Sequence, residues 1–308
     1  MVTATEQRDS SSFKGVGVAL ITPFKEDGSV DMVTYRGHVE FQIEHGVQVL
    51  VPGGSTGESL TLSAQEQQSI IREAVDTARG RATVLAGAGG SNTADVIKRA
   101  RAAREAGADG ILSVSPAYNK PSQRGLIEHY RALADAVDCP VVIYNVPGRT
   151  ASNVLPETVL ELAEVENIVG VKEASGDMEQ VMTLLKARPE RFVVLSGEDS
   201  LTFPLMAAGA DGVISVVANE APLSMSQMVA ALLEGEFDRA RELHYRLLPL
   251  MLANFVETNP VPVKAALELM GRMKARYRLP LVPAAPESKV VLRNALIEAR
   301  VLEEVEGS

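Results

Sequence analysis

The sequence is poor in the residues that build covalent crosslinks and metal sites. It has no tryptophan, one cysteine and four histidines among its 308 residues. The single cysteine, Cys139, excludes an intrachain disulfide and a metal site made of several thiolates, and we predict that it is a small core residue. Long apolar runs are missing as well, since no stretch approaches the roughly 18 uncharged residues of a membrane-spanning helix.

Positive charge is also scarce. Lys and Arg number 30 against 40 Asp and Glu, which gives a formal net charge of −10. This balance argues against a nucleic-acid-binding surface, which is basic. Residues 1–14 are polar and lack the apolar centre of a signal peptide. We therefore expect them to form a disordered tail, and we expect a cytoplasmic protein that binds neither membranes nor nucleic acid.

Eight short apolar segments alternate with helical patterns from residue 16 onward. They are "VGVALIT" (16–22), "QVLVP" (48–52), "ATVLAGA" (82–88), "DGILSV" (109–114), "PVVIYNV" (140–146), "NIVGVKE" (167–173), "RFVVLSG" (191–197) and "DGVISVV" (211–217). Near-continuous apolar runs are typical of parallel strands buried on both faces. The helical stretch 63–79 between two of them begins with a capping box, Ser63 and Glu66.

The number of strand–helix units and a similarity between two segments of the chain favour a closed barrel over an open sheet. "EAGADGILSV" (105–114) and "AAGADGVISV" (207–216) each join a helix end to a turn and a strand, half a barrel apart. We predict an α/β fold, a (β/α)8 TIM barrel, over residues 15–235. The stretches 222–255 and 287–306 are helical and exceed what the barrel needs. Residues 236–308 are therefore predicted to form a C-terminal helical extension.

Active sites of such barrels lie at the C-terminal ends of the strands, and the sixth strand ends on Lys172. Lysine is seldom buried without a partner. A lysine at an apolar rim would be partly desolvated, its pKa would fall, and its neutral amine would attack a carbonyl carbon to give a Schiff base. The alternatives are that Lys172 reaches solvent or pairs with Glu173.

Tyr144 ends the fifth strand, which neighbours the sixth in a barrel. Adjacent strands are about 4.8 Å apart, so its hydroxyl could transfer protons beside the amine of Lys172. The alternative is a core aromatic residue whose hydroxyl makes a structural hydrogen bond.

Two features predict an anion site at the same rim. "GGSTGES" (53–59) is a glycine-rich turn before a helix, and its backbone N–H groups with the hydroxyls of Ser55 and Thr56 suit a carboxylate. Arg149 in "YNVPGRT" supplies a bidentate carboxylate donor. Alternatively, the turn is only a flexible loop and Arg149 only a surface residue.

The motifs "GGSTGES", "YNKPSQ", "YNVPGRT", "GVKEASG" and "GVISV" occur in an order and spacing that resemble the dihydrodipicolinate synthase family. That family belongs to the class I pyruvate aldolases, together with N-acetylneuraminate lyase. The resemblance runs from Gly15 to the C-terminal helices. It implies a Schiff-base-forming lyase that condenses pyruvate with L-aspartate 4-semialdehyde in lysine and diaminopimelate biosynthesis. It also implies a homotetramer, a dimer of dimers, and no metal or cofactor, because the imine serves as electron sink.

The resemblance further implies catalytic roles for four side chains. Lys172 would form the Schiff base and Tyr144 would be the general acid and base. Ser55, where threonine is usual, and Tyr118 would complete a hydroxyl relay with Tyr144. The family's counterpart of Tyr118 comes from a neighbouring subunit.

Substrate-binding roles are implied in the same way. The backbone amides of Ser55 and Thr56 would hold the pyruvate carboxylate. Arg149 would bind the carboxylate of the semialdehyde, and Gly197 and Ile214 would line the pocket.

Two other functions stay open. The chain could be another pyruvate-dependent lyase, acting on a sugar acid or a hydroxy-oxo acid. It could also be a non-catalytic barrel that binds a keto acid. Arg149 favours the synthase over the first, because a dicarboxylic product needs a cation more than a polyol does. The intact set of lysine, tyrosine and hydroxyl groups argues against the second.

Many bacterial members of the family bind lysine as an inhibitor at a subunit interface. The family pattern there has histidines, an asparagine, a glutamate and a tyrosine. The matching positions in this chain are Ala64, Gln67, Ser91, Asp95 and Ala117. The sequence therefore predicts that lysine inhibits weakly or not at all.

Overall fold

The computed structural model describes residues 10–303 and contains a closed barrel of eight parallel strands in sequence order. The strands are β1 (Gly15–Ala19), β2 (Val49–Val51), β3 (Thr83–Gly87), β4 (Gly110–Val114), β5 (Val141–Asn145), β6 (Ile168–Glu173), β7 (Val193–Ser196) and β8 (Gly212–Ser215). β8 pairs with β1 and closes the barrel. The predicted TIM barrel and its eight strands are confirmed, each strand being slightly shorter than its apolar segment.

Helices surround the barrel and continue beyond it. They are α1 (Met32–Glu44), α2 (Ala64–Ala78), α3 (Thr93–Glu105), α4 (Gln123–Ala136), α5 (Pro147–Thr150), α6 (Pro156–Ala163), α7 (Met178–Ala187), α8 (Thr202–Ala207), α9 (Pro222–Leu233), α10 (Phe237–Ala253), α11 (Val261–Leu269) and α12 (Pro286–Glu298). The capping box of α2 is present as predicted, with Ser63 and Glu66 exchanging hydrogen bonds. Within residues 10–303, no helix is long and apolar enough to cross a membrane.

The two C-terminal stretches predicted to be helical contain helices, but neither is helical throughout. The stretch 222–255 is two helices, because the chain turns at Gly235, whose φ of +78° is a conformation that glycine adopts readily. The stretch 287–306 is helical only to Glu298 in α12. Its last three residues, 304–306, lie outside the described part of the chain.

Side chains of the strands alternate between two apolar cores. One core lies between the strands and the helices, and the other fills the barrel interior. Interior side chains include Val142, Leu195 and Ile214, and Phe13 packs with them. Phe13 belongs to a single 3-10 turn, Ser10–Phe13. Residues 1–9 of the predicted tail lie outside the described residues, and the division at 235 between barrel and extension stays a prediction.

Candidate active site

A β-bulge in β6 decides where Lys172 points. Val141 of β5 pairs with Ile168, but the next residue, Val142, pairs with Gly170, so Val169 has no partner on β5. A one-residue shift moves every later side chain to the other face of a strand. Val171 consequently packs outward among the helices, and Lys172 faces the barrel interior.

Glu173, the neighbour of Lys172, points to the other face of the strand and does not pair with it. Its carboxylate accepts hydrogen bonds from the Nδ2 of Asn145 at 3.0 Å and from the backbone N–H of Ser175 at 2.7 Å. The Nε2 of Gln180 donates to it as well. The ion pair between Lys172 and Glu173, one alternative left open by the sequence, is therefore excluded by the geometry.

Lys172 and Tyr144 are directly paired across β5 and β6. The Nζ of Lys172 lies 4.3 Å from the centre of the Tyr144 ring, and the lysine side chain is buried, so it does not reach into solvent. Burial lowers the pKa of Lys172 to about 8, although the carboxylates of Asp199 and Glu198 oppose the shift. Burial raises the pKa of Tyr144 to about 12. Near neutral pH the site thus holds a protonated phenol beside an amine that loses its proton readily.

Space around the amine depends on Gly197, which follows β7. A Cβ at that position would lie 2.7 Å from the Cβ of Ala174 and 3.0 Å from the Cε of Lys172. Any larger residue would therefore push the lysine from its place. Ile214 of β8 is buried in the interior core. The structure thus places Gly197 against Lys172 just after β7 and Ile214 in the barrel interior.

Residues 53–59, the glycine-rich loop, present unused donors after β2. The backbone N–H groups of Gly57, Glu58 and Ser59 bond to carbonyl groups within the loop. Those of Ser55 and Thr56 make no hydrogen bond to any described residue, 10–303. Two adjacent unpaired N–H groups suit an anion, and the predicted carboxylate site at this turn stays a prediction.

The loop rests directly on the end of β3. A Cβ on Gly87 would lie 2.3 Å from the carbonyl oxygen of Gly53, so only glycine permits the contact. Thr56 is buried and its Oγ1 accepts a hydrogen bond of 2.9 Å from the Nδ2 of Asn259. Ser55 is exposed.

Arg149 lies on the short helix α5 directly after β5. It is exposed, yet its charge reaches the buried pair. Burial has the largest influence on the pKa values of Tyr144 and Lys172. The positive charge of the Arg149 guanidinium lowers both. The structure therefore places a cation beside the site, where a second anionic group could bind.

Tyr118 is the predicted site residue that this single chain does not bring into the pocket. Its side chain is 95% exposed and its φ is +69°, in the left-handed region that non-glycine residues seldom adopt. Its backbone N–H bonds to the carbonyl oxygen of Thr150, which places it next to α5.

Two groups of residues around the site were not predicted from the sequence. Glu198 and Asp199 follow Gly197, and the Oδ2 of Asp199 accepts 2.9 Å hydrogen bonds from the backbone of Val216 and Val217. Asn259 and Lys264 contact the glycine-rich loop from about 200 residues away in the chain. Lys264 did carry a signal, since it is a lysine within the apolar stretch "VPVKAAL".

The lowered pKa of Lys172 predicts how its reactivity depends on pH. Only the neutral amine attacks a carbonyl group, so the rate of imine formation should rise with pH and level off above a midpoint near 8. The initial rate of adduct formation with a small keto acid, trapped by cyanoborohydride, measures this. A midpoint near that of ordinary lysine, about 10.4, would contradict the burial argument.

Comparisons with known proteins agree over nearly the whole chain. A family model described as the dihydrodipicolinate synthetase family matches residues 12–299. A Koribacter versatilis protein named 4-hydroxy-tetrahydrodipicolinate synthase is 49% identical over 290 residues, 94% of this chain and 97% of the relative. The Syntrophobacter fumaroxidans protein of the same name is 50% identical over 285 residues, 92% of this chain and 98% of the relative.

Solved structures give the same result. Dihydrodipicolinate synthase from Aquifex aeolicus has a TM-score of 0.92 and 45% identity, covering 95% of this chain and 100% of that one. The chloride-inhibited enzyme from Acinetobacter baumannii, complexed with pyruvate, has a TM-score of 0.92 and 42% identity, covering 94% and 99%.

Proposed function

The chain belongs to the dihydrodipicolinate synthetase family, and we propose that it condenses pyruvate with L-aspartate 4-semialdehyde through a Schiff base on Lys172. The resemblance read from the motifs is confirmed. The observation that best supports Schiff-base formation is the burial of the Lys172 amine, which lies 4.3 Å from the centre of the Tyr144 ring and has a pKa of about 8. The product is 4-hydroxy-tetrahydrodipicolinate, an intermediate in lysine and diaminopimelate biosynthesis.

The first step joins the enzyme to pyruvate. The neutral Nζ of Lys172 attacks the ketone carbon, and a carbinolamine forms. The hydroxyl group then leaves as water, which requires one proton. Tyr144 can donate that proton, because its raised pKa keeps the phenol protonated. The result is a protonated imine between Nζ and the former ketone carbon.

The second step forms the carbon–carbon bond. The protonated imine withdraws electrons, so the methyl group of the bound pyruvate loses a proton and an enamine forms. The enamine carbon attacks the aldehyde carbon of the semialdehyde, whose oxygen takes up a proton and becomes the 4-hydroxyl group. The amino group of the semialdehyde then attacks the imine carbon, displaces Nζ and closes the ring. Lys172 is released as the free amine.

Two groups orient the substrates. The unpaired N–H groups of Ser55 and Thr56 suit the carboxylate of pyruvate. The exposed guanidinium of Arg149 suits the carboxylate of the semialdehyde, since arginine binds carboxylates in a bidentate manner. Gly197 and Ile214 bound the space between them.

The exposure of Tyr118 supports a role outside its own subunit. A tyrosine that is 95% exposed has no packing role in one chain, whereas the hydroxyl relay of Tyr144 and Ser55 would need a further hydroxyl group. In our proposal Tyr118 completes the relay of a neighbouring subunit, within a homotetramer built as a dimer of dimers. A cytoplasmic location stays a prediction.

An initial-rate panel tests the function. The protein would receive pyruvate with L-aspartate 4-semialdehyde and, separately, with N-acetylmannosamine, glyceraldehyde or glyoxylate, with Lys172→Ala as blank. We expect the rate with the semialdehyde to exceed the others by far. A higher rate with a sugar aldehyde or glyoxylate would show that the chain is another pyruvate-dependent lyase. If no aldehyde is turned over, the chain would be a non-catalytic barrel that binds a keto acid.

Replacing Arg149 by leucine should weaken binding of the second substrate. Losing a charged hydrogen-bonding partner reduces affinity by roughly 10- to 100-fold, so KM for the semialdehyde should rise by that factor. The pyruvate dependence should change little when both proteins are assayed near pH 9, where Lys172 is mostly neutral in each. A rise in KM for pyruvate instead would assign Arg149 to the other carboxylate.

Lysine should inhibit weakly or not at all. The Nε2 of Gln67 already donates a 2.8 Å hydrogen bond to the carbonyl oxygen of Gly87, and the Oγ of Ser91 donates to that of Ala117. Ala64 and Ala117 offer no polar side-chain atoms. Steady-state rates at increasing lysine concentration test this, and half-inhibition below a millimolar concentration would contradict it.

A further inference from the structure

The glycine-rich loop, residues 53–59, is held from the C-terminal helices. The Nζ of Lys264 in α11 lies 2.5 Å from the Oε1 of Glu58, the sixth residue of the loop. Asn259, just before α11, bonds to Thr56. Arg278, between α11 and α12, donates a 2.8 Å hydrogen bond to the carbonyl oxygen of Thr61, just beyond the loop. Residues 259–278, which are distant in sequence, thus hold the loop that carries the free N–H groups in place.

The pair of Lys264 and Glu58 is the most buried of these contacts. Both side chains are 0% exposed. The second hydrogen bond of Nζ, at 2.9 Å, goes to the carbonyl oxygen of Thr22, and the rings of Phe24 and Tyr277 lie 4.4 and 5.1 Å from it. The ammonium group is therefore fixed from several sides, and it fixes the carboxylate in turn.

The backbone at Glu58 needs such a restraint. Its φ of +54° lies in the left-handed region, which is unfavourable for a residue with a side chain. Such conformations persist where the surrounding structure enforces them. The preceding residue, Gly57, is packed so closely that a Cβ would lie 2.9 Å from the carbonyl oxygen of Leu20. Here the loop turns sharply, two residues after Thr56.

Stability alone is a weak reason for this pair. Replacing a buried ion pair by apolar residues of similar volume is often neutral or stabilising, whereas removing one partner is strongly destabilising. What an apolar pair cannot do is fix the direction of a polar loop. Lys264 and Glu58 do so at the point where the free N–H groups of Ser55 and Thr56 are presented.

We propose that Lys264 is a positioning residue for pyruvate, which acts through Glu58 to hold the backbone amides of Ser55 and Thr56 toward the substrate carboxylate. The C-terminal helices are thereby part of the active site, although Lys264 itself does not touch the substrate. This inference rests on the proposed function for the identity of the ligand. The attachment of the loop does not depend on that identity.

The test compares three variants of the full chain with the wild type. Lys264→Met removes the cation and leaves a buried carboxylate unpaired. The double variant Glu58→Gln with Lys264→Met removes both charges, so its thermal stability should recover relative to the single variant. Asp211→Asn is the control, because Asp211 forms an ion pair with Arg188 at the opposite end of the barrel, before β8.

Hydrogen exchange and the pyruvate kinetics distinguish a displaced loop from a less stable protein. Hydrogen exchange of peptides covering 53–62 should be faster in both Lys264 variants and unchanged in the control. The pyruvate concentration that half-saturates cyanoborohydride trapping on Lys172 should rise in both Lys264 variants, and kcat/KM should fall by about 100-fold, the effect of a small misplacement. The maximal trapping rate should fall far less.

The outcomes are distinguishable. A double variant with wild-type exchange and wild-type half-saturation, or an equal effect in the control, would overturn the inference and leave the proposed function intact. A wild-type protein that pyruvate does not label would overturn the proposed function. The assignment of pyruvate to the loop would fall with it, and the exchange data alone would then judge whether Lys264 holds the loop.

Discussion

Replacing Lys172 by methionine is expected to abolish catalysis and to stabilise the fold. Methionine fills a similar volume but has no amine, so no imine forms. The rate should fall to that of the uncatalysed reaction, a loss on the order of 10⁶-fold or more. Turnover of pyruvate with the semialdehyde measures the loss. Residual activity within about 100-fold of wild type would show that the Schiff base forms elsewhere or not at all.

The gain in stability follows from the pKa of Lys172. Burial lowers it from 10.5 to about 8, so the folded state binds the proton more weakly than the unfolded state. Below pH 8 the full cost of burying the charge is present, about 3 kcal/mol, and it declines as pH rises toward 10.5. Lys172→Met avoids this cost. It should be more stable by about 3 kcal/mol at pH 7 and by about 1 kcal/mol at pH 10.

Urea unfolding at the two pH values measures this difference. Lys186→Met, an exposed lysine of α7, is the matched control and should change neither activity nor stability. A Lys172→Met protein that is less stable than wild type at pH 7 would contradict the burial of a charged amine.

Replacing Tyr144 by phenylalanine is the second large effect. The change removes only the hydroxyl oxygen, so the ring that lies 4.3 Å from the Nζ of Lys172 stays in place. Loss of a positioned proton donor lowers rates by roughly 10²- to 10⁴-fold. We therefore expect kcat to fall by that factor, and imine formation with pyruvate to slow in parallel, because carbinolamine dehydration needs a proton.

Tyr130→Phe is the matched control for this prediction. Tyr130 is also a buried tyrosine, but its hydroxyl donates a 3.0 Å hydrogen bond to the carbonyl oxygen of Ser113 and has no part in the proposed chemistry. It should lose stability and keep its rate of imine formation. A Tyr144→Phe protein within threefold of wild type would assign proton transfer to another group.

The barrel was predictable because its signal is local. Each strand is an apolar run bounded by a turn, and eight such runs leave few alternatives. The place of Lys172 at the end of β6, beside Tyr144, was predictable for the same reason, since a lysine that ends an apolar strand stands out. The stretch 222–255 was predicted to be helical and is largely so, as α9 and α10, and Gly235 inside "LLEGEFD" marks the break between them.

Other parts of the site could not be predicted because they depend on pairing. The bulge at Val169 depends on the register of β6 against β5, which apolar periodicity does not reveal. The direction of Glu173 follows from that bulge. The contact of Lys264 with Glu58 joins residues 206 apart in sequence, and only the folded chain brings them together.

The proposed chemistry depends on an imine between the amine of Lys172 and pyruvate. The most direct measurement is peptide mapping by mass spectrometry after the protein is incubated with pyruvate and reduced with borohydride. We expect one covalent adduct, on the peptide that contains Lys172, and none in Lys172→Met. Failure of pyruvate to label the wild type, or an adduct on a different lysine such as Lys264, would contradict it.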